Sequence, residues 1–165
     1  MTGPKKDPIV FGWREFISLP DWDIPRLKAK IDTGARTSAI HVGEIEHLDD
    51  GRVRFDVVLR EKPHLRTRSV TAEPVRQSKV KPSHGITQER VVCHTRLKIG
   101  SMEHEIEISL VSRKGMLCRM LVGRLGLPPG SLVDPRRIYL HDKRRGRREK
   151  DPAPGPAREK KGTPK

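Results

Sequence analysis

The stretch "KAKIDTGARTSAI", Lys28 to Ile40, carries the clearest chemical content of this chain. An alternating segment runs into Asp32, and Thr33, Gly34 and Ala35 follow before a second apolar-rich segment. A carboxylate at the end of a half-buried strand is costly to take out of water unless it is hydrogen-bonded. Thr33 adds a hydroxyl, and Gly34 permits backbone geometry and close approach that side chains forbid. A carboxylate ringed by backbone amides on a tight turn is held rigidly, which general acid–base work requires. Taken alone, Asp-Thr-Gly reads as readily as a turn with aspartate as its hydrogen-bonding residue. The elements around it decide between the two.

Those elements are short strands. In "RLKAKI" (26–31), Leu27, Ala29 and Ile31 share one face and Lys28 and Lys30 the other. "IVFGWREFISL" (9–19) precedes it and "TSAIHV" (37–42) follows. "RVRFDVVL" (52–59) alternates after an Asp49-Asp50-Gly51 hairpin turn, and "RTRSVTAEPV" (66–75) is a weaker strand. "ERVVCHTRLKI" (89–99) and "MEHEIEISLV" (102–111) flank Gly100-Ser101, a two-residue hairpin turn. "RMLVG" (119–123) is a short buried strand, a brief helical turn is expected at 124–127, and "RRIYL" (136–140) closes the body. Strands at this spacing with little amphipathic helix predict an all-β barrel or sandwich.

Composition bounds the rest. The 165 residues carry a net charge of +14, with 33% hydrophobic and 34% charged residues. That is polar for one compact domain, so part of the chain is expected outside the core. Residues 143–165 hold ten Lys/Arg against three Asp/Glu, four prolines and no aliphatic residue larger than Ala. They predict a disordered basic tail, and residues 1–8 a disordered N-terminus, which leaves 9–142 as the domain. Two cysteines make no disulfide framework, so a reducing, cytoplasmic setting is expected. No apolar run suits a signal peptide or a membrane span.

The Asp-Thr-Gly-Ala block together with the later "MLVGR" (120–124) resembles the retropepsin-type aspartic proteases. More narrowly, "FGWREFISLP", "KAKIDTGARTSAIH", "RMLVGR" and "LVDPRRIYL" are similar to a bacterial and archaeal family labelled "ATP-dependent zinc protease". Its members are associated with ATP-grasp enzymes of the ribosomal-protein glutamate-ligase type. The resemblance covers residues 9 to about 140. It implies a retropepsin-like closed barrel with one short helix, and Asp32 as the catalytic carboxylate. Thr33, Gly34, Ala35 and Gly123 would support the catalytic loop, and Arg36 and Thr37 would meet substrate.

That chemistry needs two carboxylates sharing one proton, because like charges about 3 Å apart cannot both ionise. The chain holds one Asp-Thr-Gly; the Asp49-Asp50-Gly51 turn lacks a leading apolar strand, and Asp134 precedes a proline. The resemblance therefore implies a homodimer, with the mate's Asp32 meeting this one on a two-fold axis. Thr33 would bond across the dimer, and Gly34 would let the loops touch. Arg36 and the basic body suit acidic, glutamate-rich peptides. Retropepsins cover the site with a glycine-rich flap; residues 60–90 carry Pro63, Pro74, Pro82 and one glycine, Gly85.

The two words of the family label find no residues. None of the seven histidines forms His-Glu-x-x-His, and no glycine-rich Lys-Ser/Thr loop suits ATP. No cofactor is expected, and ATP dependence would come from a partner such as a glutamate ligase. Trp13 and Trp22 are expected at the barrel ends, and Arg14 and Glu15 in solvent. Two other readings stay open. One is a non-catalytic retropepsin-like peptide-binding or dimerisation module. The other is a small basic β-barrel that contacts RNA or the ribosome weakly through its tail.

Overall fold

In the computed structural model, residues 6–80, 85–112 and 117–142 are described. Both predicted tails, 1–8 in large part and 143–165, fall outside these residues. Ten strands follow in order: β1 (Val10–Leu19), β2 (Ile24–Ile31), β3 (Ser38–His47), β4 (Val53–Arg60), β5 (Arg66–Ala72), β6 (Pro74–Val80), β7 (Gln88–Ile99), β8 (Met102–Val111), β9 (Met120–Val122) and β10 (Leu132–Ile138).

Alternation explains most of them. Along β2, Leu27, Ala29 and Ile31 are buried while Lys30 is exposed. Along β4, Val53, Phe55 and Val57 are buried against exposed Arg54 and Asp56. Each such Leu, Ile, Val or Phe side chain taken from water stabilises the fold by about 1.5–3 kcal/mol.

The pairing order β1–β2–β9–β3–β8–β7 returns to β1 through Ser18↔Lys98, so six strands close a ring. β10 runs parallel to β1 on its outer side, β6 flanks β7, and the β4–β5 hairpin extends from β3. The expected all-β, retropepsin-like architecture is therefore present. The brief helix is a single 3-10 turn, Arg124–Gly126, and a second turn of that kind, Pro20–Trp22, joins β1 to β2. No helix among the described residues is long and apolar enough to cross a membrane.

Several local expectations change. The weak strand at 66–75 is two strands, β5 and β6, broken at Glu73. The closing strand begins at Leu132 rather than Arg136, with Asp134 and Pro135 inside it. Glu15 is fully buried instead of solvated. Its carboxylate accepts backbone N–H bonds from Gly12 (2.7 Å), Leu140 (3.1 Å) and His141 (3.3 Å), and so ties the chain's last described turn to β1. Bidentate Arg26–Asp142 bonds at 2.8 and 3.0 Å reinforce that tie. Trp22 packs edge-on against Phe55 inside the core, whereas Trp13 is half-buried under the Arg14 guanidinium.

Candidate active site

The crossing of β2, β9 and β3 builds the Asp32 turn. β9 lies between the other two, parallel to β2 (Ile31↔Val122) and antiparallel to β3 (Ala39↔Leu121). Asp32 follows β2 directly, and its N–H donates to the Val122 carbonyl at 2.9 Å. The Ala35 N–H closes the turn onto the Asp32 carbonyl at 3.2 Å, and the Gly34 N–H donates to Asp32 Oδ1 at 3.0 Å. The carboxylate is thus oriented by the main chain, and the side chain stays partly exposed.

The chain after β9 holds the loop from below. Arg124 N–H donates to the Ala35 carbonyl at 2.8 Å and Leu125 N–H to the Arg36 carbonyl at 3.0 Å. Gly123 N–H donates to Ser38 Oγ at 3.2 Å in a buried contact. A side chain at Gly123 has no room: its Cβ would stand 2.4 Å from the Thr37 carbonyl oxygen. Gly34 serves proximity rather than unusual backbone geometry, because its φ is not left-handed and an added Cβ would meet Asp32 Oδ1 at 3.2 Å.

All seven residues singled out in the sequence meet here. Asp32, Thr33, Gly34 and Ala35 form the turn; Thr37 and Gly123 form its close contact; Arg36 stands exposed beside it. Two contributors were not foreseen. Ser38 is buried and accepts the Gly123 N–H, and Arg124 Nη1 donates to the Thr33 carbonyl at 3.0 Å. Ser38 is the last polar residue before an apolar run, and Arg124 follows the glycine of "MLVGR"; both positions were signals that went unread.

Cations gather around this end of the sheet. Arg14 pairs across β1–β2 with Lys30, and neither they nor Lys28 meet a carboxylate among the described residues. Cys118, which leads into β9, senses them. Burial pushes its thiol up, while Arg14, Lys28, Lys30 and Arg119 pull it back.

A zinc ion finds no donor set among the described residues. His41 meets Glu61 at 3.5 Å, and His47 meets Glu89 at 2.9 Å. His94 stands 3.1 Å from Glu105 and 3.6 Å from Glu107, but Arg76 already holds Glu107 at 2.6 Å. These are pairwise histidine–carboxylate contacts rather than chelates.

Comparison with known proteins agrees with this geometry. The chain is 34% identical over 131 residues to a probable alpha-L-glutamate ligase of Parasynechococcus marenigrum. It is 30% identical over 129 residues to one of Shewanella pealeana. These alignments take in 77% and 76% of this chain, which spans only 28% of the length of either relative. A crystal structure of a protein of unknown function from Legionella pneumophila superposes with a TM-score of 0.66 at 28% identity, over 82% of this chain and 100% of that one. Residues 10–144 match the family described as the retropepsin-like aspartic endopeptidase RimB, and the chain belongs to that RimB-like family.

Proposed function

We propose that the protein is an aspartic endopeptidase that works as a homodimer, with Asp32 from each copy forming the catalytic pair. The observation that carries this reading is the Asp32 carboxylate, oriented by the Gly34 N–H at the open end of β2, on a backbone whose own N–H donates to the Val122 carbonyl. Two such carboxylates sharing one proton would draw a proton from water as its oxygen attacks a peptide carbonyl. The partner acid would then protonate the leaving nitrogen.

The second copy has an apolar surface to meet at this end. β1 is antiparallel to β2, so its start lies beside the end of β2. There Ile9 and Leu132 are 41% and 54% exposed, joined by the Leu132 N–H to Ile9 carbonyl bond, and Leu125 beside the catalytic loop is 60% exposed. Apolar side chains grouped at one end favour association.

Arg36, Lys30 and Arg124 beside the turn suit acidic, glutamate-rich peptides. The names of the longer relatives give that reading a source: a glutamate ligase, as partner or fused domain, would produce such peptides and account for any ATP dependence. Weak nucleic-acid contact through residues 143–165 would be secondary and sequence-blind. A non-catalytic module attached to a ligase is the second reading, favoured by the 28% coverage of those relatives.

The test is Asp32→Asn in a peptidase assay on glutamate-rich peptides at low salt, with the mass of the assembly measured alongside. Loss of cleavage with the dimer and the melting temperature retained supports the proposal. Unchanged cleavage, or full activity from a monomer, ends it, and loss of activity in a strong chelator would bring zinc back.

A further inference from the structure

A cavity of about 550 Å³ opens away from the catalytic turn, lined by His41, Val42, Gly43, Glu44, Val58, Glu61, Leu65 and Ser112. The fold makes this space. β3 shifts register against β4 between Val42 and Ile45, and β4 shifts against β5 between Val58 and Arg60. Paired irregularities of this kind splay strands and re-aim side chains, often beside binding sites. The volume lies in the range of ligand pockets.

β9 separates this cavity from Asp32. His41 N–H bonds to the Arg119 carbonyl at the start of β9, whereas Asp32 N–H bonds to Val122 at its end. At strand rise the two sites lie roughly 10 Å apart. One side of the cavity is ordered by charge: the His41 imidazole, 3% exposed, meets Glu61 at 3.5 Å, and Arg119 holds the other Glu61 oxygen at 3.2 Å.

The lining is unlike the rest of the surface. The chain has 35 Lys and Arg, yet among the described residues none lines this cavity, which presents two carboxylates and a hydroxyl. Arg119 offsets Glu61, and among the described residues the exposed Glu44 meets no cation. Val42, Val58 and the 66% exposed Leu65 supply apolar walls. Acceptors at the rim and aliphatic walls behind them suit a group with an apolar stem and a cationic head, and they reject the anionic peptides that the catalytic end would favour.

We propose that this cavity is a second binding site, distinct from the catalytic turn, which takes a lysine side chain of a protein partner, its stem against Val58 and Leu65 and its ammonium on Glu44.

The experiment titrates the full-length protein at low ionic strength with the methylamides of N-acetyl-lysine, N-acetyl-norleucine and N-acetyl-glutamate, following backbone amide resonances. The lysine derivative should shift Gly43, Glu44, Glu61 and Ser112 saturably and leave Gly34 in place. Its half-saturation should be at least five-fold lower than that of norleucine, which shares the stem without the charge. Glu44→Gln should erase that preference, and Leu65→Ala should raise both half-saturations at least two-fold. Both residues are exposed or at the rim, so neither change disturbs the core. The proposal is overturned by any of three results: no saturable shift at these amides, equal or tighter binding of norleucine or glutamate, or a lysine preference that survives Glu44→Gln.

Discussion

The Asp32 end of the molecule and the outer faces of its hairpins hold their charges in different ways. On the hairpins several arginines meet carboxylates: Arg54 meets Glu46, Arg76 meets Glu107, and Arg96 meets both Asp21 and Glu103. Around the Asp32 turn Arg14, Lys28, Lys30 and Arg36 meet none among the described residues, and order comes from main-chain bonds and tight glycine contacts. Exposed ion pairs contribute little and can be exchanged freely. A turn built from backbone bonds tolerates almost no change in shape, and its cations stay available for something else. The hairpins keep the strands in register, while the turn keeps one carboxyl in place.

The sharpest way to break this contrast is Gly123→Ala. A methyl group 2.4 Å from the Thr37 carbonyl oxygen must push the loop off β9, and we expect a loss of about 3 kcal/mol or more in denaturant unfolding. Asp32→Asn should instead leave stability nearly unchanged and abolish peptidase activity, because the turn's backbone bonds do not need the charge. Ser38→Ala strands the buried Gly123 N–H and should cost about 1–3 kcal/mol. Arg54→Ala, on an ion pair whose side chains are 52% and 60% exposed, should fall within about 1 kcal/mol of the parent protein. A large effect from Arg54 together with a small one from Gly123 would reverse the assignment of rigidity.

The two thiols probe the same contrast with one chemistry. Burial alone pushes Cys93, on β7, up to about 11, whereas four cations oppose the effect of burial at Cys118. Alkylation at pH 8 should therefore favour Cys118. Replacing Lys28 and Lys30 by alanine should slow Cys118 and leave Cys93 unchanged. The linkage sign follows from the raised value. The stability that the Cys93 thiol contributes is fully present below its ordinary value of 9.0 and is lost as pH rises toward about 11. Melting temperatures measured across that window should fall less steeply for Cys93→Ala.

Local pattern made much of this architecture legible. Period-two alternation located β2 and β4, and the turns at Asp49-Asp50-Gly51 and Gly100-Ser101 marked hairpins the structure contains. The Asp-Thr-Gly turn and its partner in "MLVGR" were visible because each is a compact block with characteristic small residues. What stayed hidden depends on distant chain. Glu15 sits in a strand pattern that reads as exposed, yet Leu140 and His141, 125 and 126 residues away, supply the N–H groups that let it be buried. β6 is mostly exposed and offers no alternation to read. Arg124 belongs to the "MLVGR" block, but its contact with the Thr33 carbonyl, 91 residues away in the chain, exists only in the fold. The cavity by His41 arises from two register shifts, which leave no mark on composition.

The three residues of β9 have a consequence for how the protein is made. β2 and β3 are neighbours in sequence, but the strand that joins them leaves the ribosome about eighty to ninety residues later. Until Met120–Val122 emerges, the nascent polypeptide has an unfilled slot between β2 and β3, and the Asp32 loop lacks its anchor on Val122. Synthesis order alone therefore delays assembly of the acid until β9 has been translated, so a product truncated before Met120 would lack an organised loop.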